Sequence, residues 1–499
     1  MTIKTVRIPL VGSLINRNQN PNSFNTKDQL FENCYPEVVN NAVTGKAKVY
    51  LNKRPGTAAS AALSSTGVAS FGACVWSSVS SAPGPIAVLS FTNTGSTSTS
   101  VWNINGTQIG GAIPTTIQCH ELTDTSINGV GNLVGIFADS ATNALEAWYF
   151  PEGGAWTQIT SNAFPPNLGT PEALTGAPVH LNGRMYVMTT NGKVWNSDLN
   201  SVSTWTASAF NTAQSYPDGG CGLARYRDLI VAFGKYSIEF FQDVGLTPSP
   251  IISVGTAVNR VGCVKGSSQS NRTVLQVSNT VYFIGHSAES GSQGIYRLNG
   301  FSAEHVSNPY IDKLLNSGII DKIVGSCTLH GLSYIVVSSS STNWAFCEET
   351  KTWWTFSTGA NVRISAIVGN LGNSYYPHGT QIQNILASSP VYQDATSTYT
   401  QIVQLESMDM GTQNRKIWKR FKVVGDIQQS TSALLVKYSD DDYGNYTTAG
   451  TIDMNVQYQI ENGLTRLGSS RRRSWKLEHS ANTPNRLEAI EIEYEVGPS

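Results

Sequence analysis

Charge is scarce in this chain. Of its 499 residues only 13% are Asp, Glu, Lys or Arg, about half of the ~25% usual in soluble domains. Lys plus Arg number 33 and Asp plus Glu 34, for a formal net charge of −1. A general nucleic-acid binder is thereby excluded, because such proteins meet the phosphate backbone with an excess of positive charge. Any contact with DNA must be local, or must occur in a channel that does not grip. Near-zero net charge also leaves little protection against self-association, a condition that an obligate oligomer tolerates best. Cysteine is sparse as well: Cys34, Cys74, Cys119, Cys221, Cys263, Cys327 and Cys347 form an odd set without a CxxC pair. Neither a disulfide framework nor a zinc site is indicated, and the thiols read as small buried hydrophobes kept in a reducing cytoplasm. No run of about 18 apolar residues occurs, so no transmembrane helix is expected. The opening MTIKTVRIPLVGSLINRNQN lacks the apolar core and small-residue cleavage site of a signal peptide.

Catalytic signatures are missing too. There is no GxSxG, HExxH, phosphate-binding GxxxxGK[ST] or GxGxxG pattern. The histidines, His120, His180, His286, His305, His330, His378 and His479, are scattered without metal-ligand spacing. The expectation is a protein without enzymatic activity, cofactor or metal, although distant residues can converge in a fold.

What fills the chain is Ser, Thr, Asn and Gly between short apolar runs, the composition of strands and tight turns. One unit recurs: a short strand, a turn, a second strand ending in an aromatic, then a Gly, Asn or Asp turn. It is found six times, at 68–110, 127–160, 178–207, 221–244, 273–306 and 326–358. In the third, Met185, Val187 and Thr189 alternate with Tyr186, Met188 and Thr190. Asn191-Gly192 then offers the two positive-φ residues of a type I′ hairpin turn before Lys193-Val194-Trp195 returns. Trp344, Phe346, Trp353, Trp354 and Phe356 bring large rings to the sixth. The pattern predicts an all-β fold with a six-bladed β-propeller, uncertain by one blade. Two sandwiches in series are the competing all-β arrangement.

One short helix is expected, with Asn308 as N-cap, Pro309 at its first position, Ile311, Leu314 and Leu315 on one face and Ser317-Gly318 as its stop, bridging two late blades. Two segments fall outside the repeat. Residues 1–60 carry ENCYPE (Glu32 to Glu37) and KRPG (Lys53 to Gly56); from about residue 395 the strands lengthen and charge increases. Residues 61–394 are read as the propeller and 395–499 as a β-sandwich-like platform domain completed by 1–60, with the Ser/Thr-rich SSPVYQDATSTYT at the boundary.

Three clusters invite a functional reading. Asp440-Asp441-Asp442 in YSDDDYGNY could bind Ca²⁺, or form an Asp-box-like turn with Tyr446 where Trp is usual, but an ordinary exposed hairpin turn is preferred. Arg415, Lys416, Lys419, Arg420 and Lys422 surround Trp418 and Phe421, while Arg466, Arg471, Arg472, Arg473 and Lys476 surround Trp475. These point to docking against an acidic partner surface, ahead of solvated strand faces and of DNA contact. Arg225, Arg227 and Asp228 read as a structural ion pair at a blade edge. A carbohydrate-binding or sialidase-like propeller is the alternative. It takes Trp148, Trp156, Trp353 and Trp354 as exposed sugar platforms and requires paired carboxylates about 5–10 Å apart.

Several segments in order resemble one family. SYPDGGCGLARYRDLIVAFGKYSIEFF (Ser215 to Phe241), the run from Val281 to Leu315, NCYPE with KRPG, RKIWKRF and RRRSWKLE together are similar to the tail hub or nozzle proteins of podoviruses, the packaged-DNA stabilisation or tail accessory family. The resemblance implies a homohexameric ring beneath the head-to-tail adaptor. That ring would extend the channel for packaged double-stranded DNA, help retain and eject the genome and support tail fibres or a needle. It further implies a virion protein assembled in the host cytoplasm. Lys53, Arg54, Arg415, Lys416, Lys419, Arg420, Arg471, Arg472 and Arg473 are the candidate contacts to the adaptor or a neighbouring subunit.

Overall fold

The computed structural model describes residues 3–11, 30–40, 47–63, 67–77, 85–93, 98–113, 117–139, 144–255, 257–264, 272–277, 279–339, 342–357, 364–385, 391–394 and 397–497. Part of the expected boundary stretch SSPVYQDATSTYT lies outside them. Each of the six repeat units forms one antiparallel sheet: blade 1 (67–113), blade 2 (117–158), blade 3 (174–212), blade 4 (220–253), blade 5 (261–305) and blade 6 (322–356).

Alternation explains the stacking. In blade 3, Met185, Val187 and Trp195 pack with Ile127, Val134 and Ile136 of blade 2. The intervening Tyr186, Met188 and Val194 pack with Leu223, Ile230 and Phe241 of blade 4. Successive side chains leave a strand on opposite faces, so a blade between two blades must be apolar on both.

The blade count expected from the repeats needs correction: a seventh sheet closes the ring. Val368–Asn370, Asn373–His378 and Gln381–Asn384 pair in sequence, and the outermost strand is β5, Ala58–Ala62, from the other end of the chain. This blade packs Ala366, Val368, Tyr375 and Ile382 on Ala87, Leu89, Phe91 and Trp102 of blade 1. Its strands are short, and its fourth, AASAA, comes from the other end of the chain, so the repeat did not mark it although its hairpin carries Tyr375 and Tyr376. β5 also straddles the 60/61 boundary expected between segments.

The hairpin turns differ in one place from expectation. Only Gly192 of Asn191-Gly192 has positive φ, at 86°, so that loop is not type I′. The two-residue type I′ geometry occurs instead at Asn182-Gly183, with φ of 49° and 74°, where Leu181 pairs with Arg184. Helix α1 (Pro309–Asn316) forms as its caps dictate: Asn308 Oδ1 accepts from Ile311 N at 2.9 Å. Ile311, Leu314 and Leu315 are buried between blades 5 and 6, with Ile295 on one side and Ile335 and Val337 on the other.

Apart from the short pair Gln393–Asp394 with Ser397–Thr398, the remaining strands build two sheets. In one, β1 (Lys4–Pro9), β3 (Cys34–Asn40) and β4 (Ala47–Lys53) join β7 (Lys416–Gly425) and β11 (Arg486–Val496). In the other, β2 (Leu30–Glu32), β6 (Gln401–Gln404), β10 (Ser474–His479), β8 (Ala433–Ser439) and β9 (Thr447–Asp453) follow one another. That second sheet is continuous with blade 6, because Glu32 pairs in parallel with Thr355. Between the sheets, Trp418, Phe421, Trp475 and Tyr494 share a core that also includes Val324, Val336 and Trp354 of blade 6.

Candidate partner interface

The nine candidate cations separate by burial. Lys53, Arg54, Lys416 and Arg473 are at most 2% exposed, and their role as surface contacts is corrected: each is occupied inside the chain. Arg54 forks onto Asp394, donates to Asn33 Oδ1 at 2.8 Å and Ser357 O at 2.8 Å, and lies 3.7 Å over the Tyr399 ring. Asn33 belongs to ENCYPE, so the two N-terminal motifs meet around one guanidinium. The glycine of KRPG has a steric reason: a Cβ on Gly56 would stand 2.0 Å from Gln393 O. Lys53 Nζ donates to Ala481 O at 2.6 Å beneath the Tyr399 ring, and burial lowers its pKa to about 7. Lys416 Nζ donates to the carbonyls of Thr412 and Arg471. Arg473 grips both Asp440 oxygens at 2.7 Å and lies 3.7 Å over Tyr438. A charge buried this way is tolerated because its hydrogen bonds and counter-charge replace water.

Lys419 and Arg420 are partly exposed and have acids within their own sheet. β11 reads RLEAIEIEYEV, and its glutamates alternate on one face. Glu488 meets Arg7 and Lys48, Glu491 meets Arg7, Glu493 meets Arg420 and Lys422, and Glu495 meets Lys419. The basic run of β7 is therefore largely neutralised by its neighbouring strand, a pairing that periodicity along one segment cannot reveal. Arg472 meets Asp442 at 3.4 Å. Arg415 and Arg471 remain exposed; Arg415 Nε donates to Ser469 Oγ at 2.9 Å.

The acidic triplet is a turn. Asp441 accepts from Asn445 N at 2.9 Å and from Asn445 Nδ2 and Ser439 Oγ, each at 2.7 Å, and these bonds hold its carboxyl down at about 2. Asp440 and Asp442 face arginines. Among the described residues no group of His, Cys, Asp or Glu is arranged to hold a metal. Three of the platforms named by the carbohydrate reading are not on the surface: Trp148, Trp156 and Trp354 are buried at 8%, 7% and 3% exposure. Trp148 and Trp156 belong to the core of blades 1 and 2, and Trp353 is half-buried against Phe346.

Sequence reasoning missed one residue at the propeller axis. The inner strands of all seven blades enclose a cavity of about 640 Å³. Arg272, entering from blade 5, donates to Val324 O of blade 6 and Ala73 O of blade 1, both at 3.1 Å, and meets Glu121 of blade 2 at 3.3 Å. It thus crosses the axis and ties four blades. Burial pushes the Glu121 carboxyl up to about 7 against the pull of Arg272. Burial likewise raises Asp124, and burial with nearby Arg225 lowers His180. No helix among the described residues is long and apolar enough to cross a membrane.

Seven antiparallel blades closed by a strand from the opposite end of the chain, with a two-sheet extension on blade 6, define a seven-bladed β-propeller. The chain belongs to the phage stabilisation family, whose model, described as bacteriophage P22 Gp10, beta-propeller, matches residues 7–363. It is a structural protein of the bacteriophage tail, of the packaged-DNA stabilisation or tail accessory class of podoviruses, and a virion component. No curated protein matches it. Among solved structures, virginiamycin B lyase from Staphylococcus aureus, in a catalytically inactive form with quinupristin, aligns with 10% identity and a TM-score of 0.41 over 70% of this chain and 98% of its own. The computationally designed Ika8 protein aligns with 10% identity and a TM-score of 0.35 over 64% and 98%.

Proposed function

We propose that this protein is the tail hub or nozzle subunit. Six copies would form a ring below the portal–adaptor complex, extend the DNA channel, retain the packaged genome, support its ejection and carry tail fibres or a needle. It would assemble in the host cytoplasm and perform no catalysis. The two-sheet extension built by the strands before Ala58 and those after residue 400 serves as one platform facing the adaptor, and the propeller, with β5, forms the wall. The observation that carries the reading, beside family membership, is the blocked propeller axis. A cavity of about 640 Å³ crossed by Arg272 offers no passage to a duplex whose major groove alone is about 12 Å wide. The blocked axis supports a conduit between copies, which head-to-tail ring closure would provide. The low charge of the chain suits a wall along which DNA slides, since every phosphate gripped adds binding that ejection must undo.

The test is size-exclusion chromatography with light scattering on the chain alone and mixed with portal–adaptor complexes, followed by imaging of the assembled tail. A six-fold ring, alone or on the adaptor, is expected. A chain that stays monomeric and never joins the adaptor would sink the proposal.

A further inference from the structure

Most cations of the two-sheet extension have a counter-charge of their own, and three exposed ones that do not are Arg415, Arg466 and Arg471. Arg7, Lys48, Lys419, Arg420, Lys422, Lys437, Arg472, Lys476 and Arg486 each have a carboxylate within 4 Å. Arg415, Arg466, Arg471 and, on β1, Lys4 are exposed and have none among the described residues, while the buried Lys53 and Lys416 are held by backbone carbonyls. Arg415 and Arg471 are brought near each other because Lys416 pairs with Ser470 and Ile417 with Ser469, and Arg466 follows Thr465, which pairs with Arg420 on the same strand. An open groove of about 690 Å³ is lined by Ile417, Trp418, Lys419, Thr465, Arg466, Gly468 and Ser469, and Arg415 adjoins it through its hydrogen bond to Ser469. Its floor is fixed: Trp418 N donates to Gly468 O at 2.9 Å, Trp418 Nε1 to Ser470 Oγ at 2.8 Å, and Gly497 N to Arg415 O at 2.7 Å. Ile417 adds an apolar surface, 37% exposed.

We infer that this corner is a docking groove for a carboxylate-rich segment of a partner protein. Guanidinium forks match carboxylates in pairs, and a fixed floor lowers the ordering cost of binding. A carboxylate segment fits better than DNA, because Glu493, Glu495 and Asp442 flank the three arginines. A short peptide can avoid those acids, whereas a duplex, with a charge about every 1.7 Å, cannot. The inference rests on the tail-component reading only in taking the partner to be a protein, so a failed ring assay would leave it standing.

The experiment uses the full chain and a fluorescein-labelled peptide alternating glutamate and leucine, followed by anisotropy at low salt. Binding is expected, weakened about tenfold or more in Arg415→Gln/Arg466→Gln/Arg471→Gln, because long-range charge complementarity is lost. It should be unchanged in Arg7→Gln/Lys48→Gln/Lys437→Gln, which alters net charge equally. The exposed single variant Arg471→Gln, which disturbs no packing, should already lose about threefold and decides the matter if the triple variant misfolds. No peptide binding, equal loss in both triple variants, or preferential binding of a short DNA duplex through the same arginines would each overturn the inference.

Discussion

Arg54 and Asp394, 340 residues apart in sequence, meet through two hydrogen bonds of 2.9 and 2.5 Å, with the guanidinium fully buried. The same guanidinium touches Asn33, Ser357 and Tyr399. One side chain thus holds the N-terminal segment, the end of blade 6 and the strand leading to the two-sheet extension.

Breaking that pair should be severe. Arg54→Met leaves the Asp394 carboxylate buried without its main counter-charge, which costs about 3–5 kcal/mol. The double variant Arg54→Met/Asp394→Leu should lose less than Arg54→Met alone. Chemical denaturation of the three proteins checks this, and equal losses would mean that the pair is not coupled.

Two buried groups give stability opposite pH dependences. Glu121 keeps its proton longer when folded, with its pKa moved from 4.5 to about 7. The folded state therefore binds more protons between those values, and stability falls as pH rises through that window. Burial, with Lys53 nearby, pushes His479 from 6.5 to about 3. There the unfolded state binds more protons, so stability falls as pH drops from about 6.5 towards 3. Melting temperatures of Glu121→Gln against the parent, measured from pH 4 to 8, should show the variant gaining relative stability as pH rises. A constant offset would contradict the assignment.

Cations of similar sequence context should differ in weight. Arg420→Ala removes one partly exposed contact at 3.8 Å and should cost no more than about 1 kcal/mol, diminishing with salt. Arg473→Ala removes a buried guanidinium from its bonds to the partly exposed Asp440 and from its packing over Tyr438 and should cost about 1.5–3 kcal/mol. Urea unfolding at low and high salt separates them.

Closure by the seventh blade is testable at Ile382, which is fully buried against blade 1 and pairs with Ala61. Ile382→Ala should cost about 2–5 kcal/mol and raise amide exchange in β5 before other blades. Leu371→Ser, at a turn tip 75% exposed, should stay within about 0.5 kcal/mol. Exchange rising equally in every blade would argue against local opening at the closure.

Local chemistry determined much of this protein in advance. The capping residues of α1 and the aromatic hairpins of blades 1 to 6 act over a few positions, so propensity and periodicity were enough to read them. The turn at Asp440-Asp441-Asp442 is local in the same way. Tertiary structure alone decided the rest, because it depended on partners hundreds of residues distant. β5 completes a blade begun at residue 368, Arg272 finds Glu121 across the axis, and the glutamates of β11 cancel the arginines and lysines of β7. A cation in sequence has no burial and no counter-charge. Whether it becomes an internal strut such as Arg54, one contact in a surface ladder such as Arg420 or an open docking group such as Arg471 is set by which strand the fold places beside it.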